Sequence, residues 1–143
     1  VVDGPLIYAV AYQGKIAAVD RTSGRVVWNR EISSLSGLSV EDGRIFVSHA
    51  AGSVYALDYT TGKTFWRQAA LKNRQLTTPV PMGGSTVVGD VQGYLHFLSR
   101  DDGAMASRII VGDSSVMPQM AQINTTTVLA QTRDGGIYAV QIK

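Results

Sequence analysis

One repeated spacing of glycine, aspartate and tryptophan limits what this chain can fold into more than any other feature. Gly52 to Trp66 reads GSVYALDYTTGKTFW, and Gly14 to Trp28 reads GKIAAVDRTSGRVVW. In these two stretches Asp58 and Asp20 follow the opening glycine by six residues, Gly62 and Gly24 come four later, and Trp66 and Trp28 four later again. Gly93 to Ser107 (GYLHFLSRDDGAMAS) repeats the frame with Ser99 at the aspartate position, Gly103 kept, and Ser107 in place of tryptophan. A fourth frame opens at Gly135 (GGIYAVQIK), where Tyr138 and Ala139 match Tyr55 and Ala56. The opening glycines lie 38, 41 and 42 residues apart, and a period near 40 in a β-rich sequence points to propeller blades.

Each unit divides into short strands between turn signals. The first unit predicts three strands, Leu6 to Tyr12, Lys15 to Asp20 and Arg25 to Glu31. The second predicts four, Leu35 to Val40, Arg44 to Ala50, Ser53 to Asp58 and Lys63 to Ala69, and the third another four, Thr77 to Pro81, Thr86 to Asp90, Tyr94 to Ser99 and Met105 to Val111. The last gives Met117 to Ile123, Thr126 to Thr132 and Ile137 to Lys143. Glycines and β-branched runs interrupt every window long enough for a helix.

Two patterns favour a propeller over an open sheet. Strand 53–58 is apolar on both alternations, with Val54 and Ala56 on one face and Tyr55 and Leu57 on the other, and Ile45-Phe46-Val47 is likewise unbroken. An antiparallel sheet with one wet face would alternate, whereas a blade between two neighbours is covered on both sides. The recurring turns Asp20 to Gly24 and Asp58 to Gly62 place a carboxylate where it accepts from amides two or three residues on, with glycine taking the positive φ. The expected architecture is all-β, about three and a half four-stranded antiparallel blades. These divide into an incomplete blade over 1–34, blades over 35–75 and 76–116, and an incomplete last blade over 117–143. Because propellers close with about four or more blades, an arc of this size leaves blade faces and edges open. The 143 residues alone are expected to associate or to be marginally stable.

The totals exclude several classes of function. Thirteen Lys and Arg against eleven Asp and Glu give a net charge of +2, with the basic residues scattered rather than clustered, so there is no electrostatic footprint for nucleic acid. The absence of cysteine removes disulfides, thiolate metal sites and thiol nucleophiles. No run of about 18 apolar residues marks a membrane-spanning helix.

At Gly52 to Trp66 the pattern G-x-x-Y-A-x-D-x-x-T-G-x-x-x-W resembles the repeat of the pyrroloquinoline-quinone (PQQ) type propellers. Three longer runs narrow the match: Val10 to Glu31, Leu76 to Val80 followed by Val87 to Gly103 (VVGDVQGYLHFLSRDDG), and the ending Asp134 to Lys143 (DGGIYAVQIK). Together they resemble the carboxy-terminal part of the BamB family, the outer-membrane lipoproteins of the β-barrel assembly machinery. The resemblance covers essentially the whole chain. It implies an eight-bladed, non-enzymatic scaffold on the periplasmic face of the Gram-negative outer membrane, held there by an amino-terminal lipid and binding the POTRA domains of BamA. It also implies that the remaining blades belong to the parent chain, that Lys143 stands close to the natural carboxyl end, and that the amino-terminal segment completes the last blade. The lipid-attachment cysteine and earlier blades are not in this sequence, and the family's POTRA contacts lie mainly in loops upstream of Val1.

Most conspicuous residues have structural readings. Trp28 and Trp66 recur as inter-blade packing residues should, Asp20 and Asp58 as turn caps, and Gly14, Gly52, Gly93 and Gly135 with Gly24, Gly62 and Gly103 as turn glycines. Asp101-Asp102 lacks the further oxygen ligands of a calcium loop. His96 holds the position of Tyr55 and Tyr138 and is expected to pack as an aromatic, while His49 is the other histidine. No catalytic constellation, cofactor or metal site is expected. A quinoprotein dehydrogenase fragment and a generic propeller module binding peptides or polysaccharide are the alternatives to a scaffold. The partner-binding candidate is the loop Ala70 to Thr78, a longer connection carrying Lys72, Arg74 and Gln75 between Leu71 and Leu76, since loops on rigid scaffolds often carry recognition.

Overall fold

The computed structural model describes residues 1–142, which form four antiparallel sheets and no helix among the described residues. Strands β1 (Val2–Asp3), β2 (Leu6–Val10), β3 (Ile16–Asp20) and β4 (Val26–Arg30) make the first sheet, and β5 (Leu38–Glu41), β6 (Arg44–Ser48), β7 (Val54–Asp58) and β8 (Thr64–Gln68) the second. The third holds β9 (Val80–Met82), β10 (Ser85–Gly89), β11 (Tyr94–Ser99) and β12 (Met105–Ile110), and the fourth β13 (Ala121–Asn124), β14 (Thr127–Gln131) and β15 (Ile137–Gln141). Within every sheet the spatial order follows the sequence. The first strands of successive sheets meet, β5 against β9 and β9 against β13, so inner edges converge while β4 and β8 lie outermost in their sheets. These sheets are consecutive blades of a propeller.

Two sequence expectations need correction. The first unit has four strands rather than three, because Val2 and Asp3 pair with Ile7 and Leu6 as a short inner strand. The opening strands of the later units also begin three or four residues later than expected, at Leu38, Val80 and Ala121 instead of Leu35, Thr77 and Met117. The residues before them are connections with their own hydrogen bonds. Ser34 Oγ accepts the amides of Ser36 and Gly37, and the Thr77 and Thr78 amides donate to Gly89 and Pro118 carbonyls. Pro79 and Pro118 have no amide to give a ladder. Lys143, placed in the last expected strand, lies outside the described residues.

The unbroken apolar runs are explained by alternation between two seams. In the second sheet Ile45, Val47 and Leu57 face the first sheet with Tyr8, Ile16 and Ala18, while Phe46, Val54 and Ala56 face the third with Val88 and Leu98. The third sheet in turn sends Val87, Leu95 and Phe97 to the fourth, where Val128 and Ala130 wait. Burying one large apolar side chain contributes about 1.5–3 kcal/mol, so these three layers dominate the stability.

The repeat residues act across the seams rather than within their own blades. Trp28 on β4 donates its indole N–H to the Tyr59 carbonyl of the next blade at 3.1 Å, and Trp66 on β8 donates to the Arg100 carbonyl at 2.8 Å. Each indole lies on the turn glycine of that next blade. A Cβ at Gly62 would stand 2.6 Å from the Trp28 ring, and one at Gly103 would collide with Trp66. Both glycines have φ of 73°. The turns that end at Gly24 and Gly62 are each closed by a carboxylate. Asp20 Oδ1 accepts the amides of Thr22 and Ser23 at 2.9 and 2.7 Å, and Asp58 Oδ1 accepts those of Thr60 and Thr61 at 2.8 and 2.9 Å. The Ser23 amide beside Asp20 and the Thr60 hydroxyl beside Asp58 hold these carboxyls below their ordinary values. A β-bulge recurs just before the turn in all three units, at Ala18/Val19, Ala56/Leu57 and Phe97/Leu98.

Candidate functional site

Antiparallel order sends the connections between second and third strands, and those between consecutive sheets, to the same end of the arc. At this end a cavity of about 470 Å³ opens among the last three blades. Its walls come from those connections: Leu35 and Ser36, Ser48 to Ala50, Gln75 and Leu76, Val91, Ser115 to Pro118, and Arg133. Leu35 and Met117 are large apolar side chains left 68% and 39% exposed at its edge. His49 Nδ1 accepts the Ala51 amide at 2.9 Å, and the ring lies 6.2 Å from Tyr55, over which Arg67 is stacked.

The loop singled out from sequence forms one wall of this cavity, and it is firmly held. Leu71 and Leu76 are buried at its two ends. Gly52 lets the backbone approach so closely that a Cβ there would meet the Leu71 carbonyl at 2.5 Å. The Arg74 carbonyl accepts the Val91 amide at 2.8 Å. The Arg74 guanidinium reaches Asp90 Oδ2 at 2.8 Å and Gln92 Oε1 at 3.1 Å. Of the three candidates, the structure brings Gln75 to the cavity, turns Arg74 inward onto the third blade, and leaves Lys72 exposed to solvent. Asn73 and Gln75 adopt left-handed φ of 61° and 50°, a conformation costly for a residue such as Gln and held only where surroundings dictate it.

Asp90 is the residue that sequence reasoning passed over. Its side chain is fully buried, and its oxygens accept from the Gln92 and Tyr94 amides at 2.8 and 3.0 Å, from Arg74, and from His96 Nε2 at 2.7 Å. Burial pushes this carboxyl up, but the bonds from His96, Tyr94, Arg74 and Gln92 outweigh it and hold it below its ordinary value. His96 therefore does more than pack beside Tyr94. It closes a buried polar cluster that ties the inter-blade loop to the third blade. The signal was present in VVGDVQGYLH: an acid three residues before the turn glycine, where the other units have Ala11, His49 and Thr132, and a histidine three after it.

At the opposite end Arg100 pairs with Glu41 and Asp42 at 2.9 and 3.0 Å, and Arg44 donates to the Arg100 carbonyl at 2.7 Å, clamping the second blade to the third. Asp101 is solvent-exposed and 3.7 Å from Arg44, and Asp102 caps its own turn through the Ala104 amide. Among the described residues no group of three or more His, Asp or Glu is placed to hold a metal ion.

A family model described as "Outer membrane protein assembly factor BamB" matches residues 1–68 and 50–143. The BamB of Yersinia pestis is 40% identical over 139 residues, an alignment that covers 97% of this chain and 35% of that protein. The chain thus spans about a third of the length of such relatives. The crystal structure of BamB from Moraxella catarrhalis superposes with a TM-score of 0.89 at 31% identity, over 99% of this chain and 42% of the other. Quinohemoprotein alcohol dehydrogenase from Comamonas testosteroni is more distant, with a TM-score of 0.66 at 22% identity over 76% of this chain and 20% of that one, and the likeness is one of fold alone. The repeat, the blade geometry and these matches agree: the chain belongs to the BamB family of outer-membrane protein assembly factors.

Proposed function

We propose that this chain is the carboxy-terminal part of a scaffold subunit of the outer-membrane β-barrel assembly complex. Its parent binds the POTRA domains of BamA from the periplasmic face of the outer membrane, where a lipid outside this sequence anchors it. The observation that carries the reading is the rigid loop face. Connections from three blades converge on one shaped cavity, and the inter-blade loop is fixed by Gly52, Arg74 and Asp90 rather than left free. Such a surface presents a preformed contact at low ordering cost, which is what a scaffold offers a protein partner. Titrating purified POTRA domains into this chain and into its full-length parent in a calorimeter tests it. Heat with the parent alone puts the contact upstream of Val1, and heat with both puts it within these 143 residues. Absence of heat with either overturns the proposal.

A further inference from the structure

The cavity at the loop face has a charge and shape that select among occupants. Its apolar wall is Leu35, Leu76, Val116, Met117 and Pro118, and its volume lies in the range of ligand pockets, roughly 300–1,000 Å³. Among the described residues Arg133 is the one side chain with a fixed charge on its lining. Arg44, Arg74 and Arg100 all meet carboxylates across the blade seams, yet the Arg133 guanidinium has no ion pair or hydrogen bond among the described residues. The neighbouring carboxylate of Asp134 forms no ion pair with it and turns Oδ1 instead to the Thr132 hydroxyl at 2.6 Å and the Gly136 amide at 3.3 Å. An unpaired cation beside exposed apolar side chains complements a ligand that carries a carboxylate next to a large apolar group.

We propose that this mouth binds a peptide segment of a partner protein in which an acidic side chain adjoins a large apolar one, the acid pairing with Arg133 and the apolar group lying against Leu35 and Met117. The left-handed Gln75, fixed by the neighbouring Arg74 to Asp90 contact, keeps the third wall in place. The inference rests on the scaffold reading but adds a site and a ligand chemistry to it.

The test uses the full-length parent protein and two blocked peptides in a calorimeter, acetyl-Glu-Leu-Glu-Phe-amide and its neutral twin acetyl-Gln-Leu-Gln-Phe-amide. The acidic peptide is expected to bind about tenfold tighter, the size of one charge-assisted hydrogen bond. Arg133→Gln should erase that preference and Arg133→Lys should keep part of it. Met117→Ser should weaken both peptides by about tenfold through lost apolar contact. Equal affinity for the two peptides, a preference that survives Arg133→Gln, or no binding of either overturns the proposal. POTRA titration of the same samples is a separate readout. Protein that binds POTRA domains but ignores the peptides sinks the cavity and leaves the scaffold standing, whereas the reverse keeps the cavity and sinks the POTRA partner.

Discussion

The seam between the second and third blades and the seam between the third and fourth are built from the same repeat and fastened very differently. In the former, Trp66 covers Gly103 and bonds Arg100, the Arg74 to Asp90 cluster ties one end, and Arg44 and Arg100 clamp the other. In the latter, Ser107 replaces the tryptophan, every residue of β12 is exposed, and a cavity of about 340 Å³ separates Ser107 and Ile109 from Val140 and Ile142. Apolar burial around Val87, Val116 and Val128 holds that seam nearer its inner edge. The difference shows that tryptophan and turn glycine are one device shared by two units.

The largest expected effect is at the fully fastened seam. Trp66→Ala should lower the stability of this chain by about 3–5 kcal/mol in a urea titration, and a loss below about 1 kcal/mol would show that the indole is not what joins these blades. Gly62→Ala comes next, at about 3 kcal/mol, since the new methyl group meets the Trp28 ring and the backbone is left-handed. Gly24→Ala separates those two causes. Gly24 has the same φ within a degree, 72°, but nothing stands within 4 Å of its added Cβ, so only the backbone cost of about 1–2 kcal/mol remains. Equal losses at the two glycines would remove the collision from the account.

Asp90→Asn should cost about 2 kcal/mol, because the buried cluster loses its charge while keeping its shape. Because the Asp90 carboxyl sits below its ordinary value in the folded chain, the stability it contributes is complete above its unfolded value, about pH 4. That stability is lost as pH falls through the lower folded value. Thermal melts between pH 7 and pH 2 should show the variant losing less stability in acid than the native chain, and parallel losses would contradict the role given to Asp90. The smallest effect is expected from Ser107→Trp. With no glycine turn facing Ser107 among the described residues, stability of these 143 residues should change by less than about 0.5 kcal/mol, and a clear gain would reveal a seat that the geometry does not show.

What could be read from the sequence was whatever repeats locally. The Asp20 and Asp58 turns, their glycines and the doubly apolar strands each follow from a few adjacent residues. Pairings between distant residues were hidden. Nothing near Arg74 announces a carboxylate 16 residues on, and Gly62 gives no sign that its neighbour is the tryptophan of the preceding unit. The late start of the inner strands was missed because apolar patterning does not distinguish a strand from a buried connection. Leu35, Thr77 and Met117 continue the pattern while their amides serve other partners or none.

The shared indole also sets a direction of assembly. Trp28 precedes its seat at Gly62 by 34 residues, and Trp66 precedes Gly103 by 37. In the first two units a chain emerging from its amino end therefore presents the plug before the socket. The first and second blades seat their indoles only when the next blade has folded, so over that stretch completion travels towards the carboxyl end one unit behind synthesis and leaves a single unseated aromatic at the advancing front.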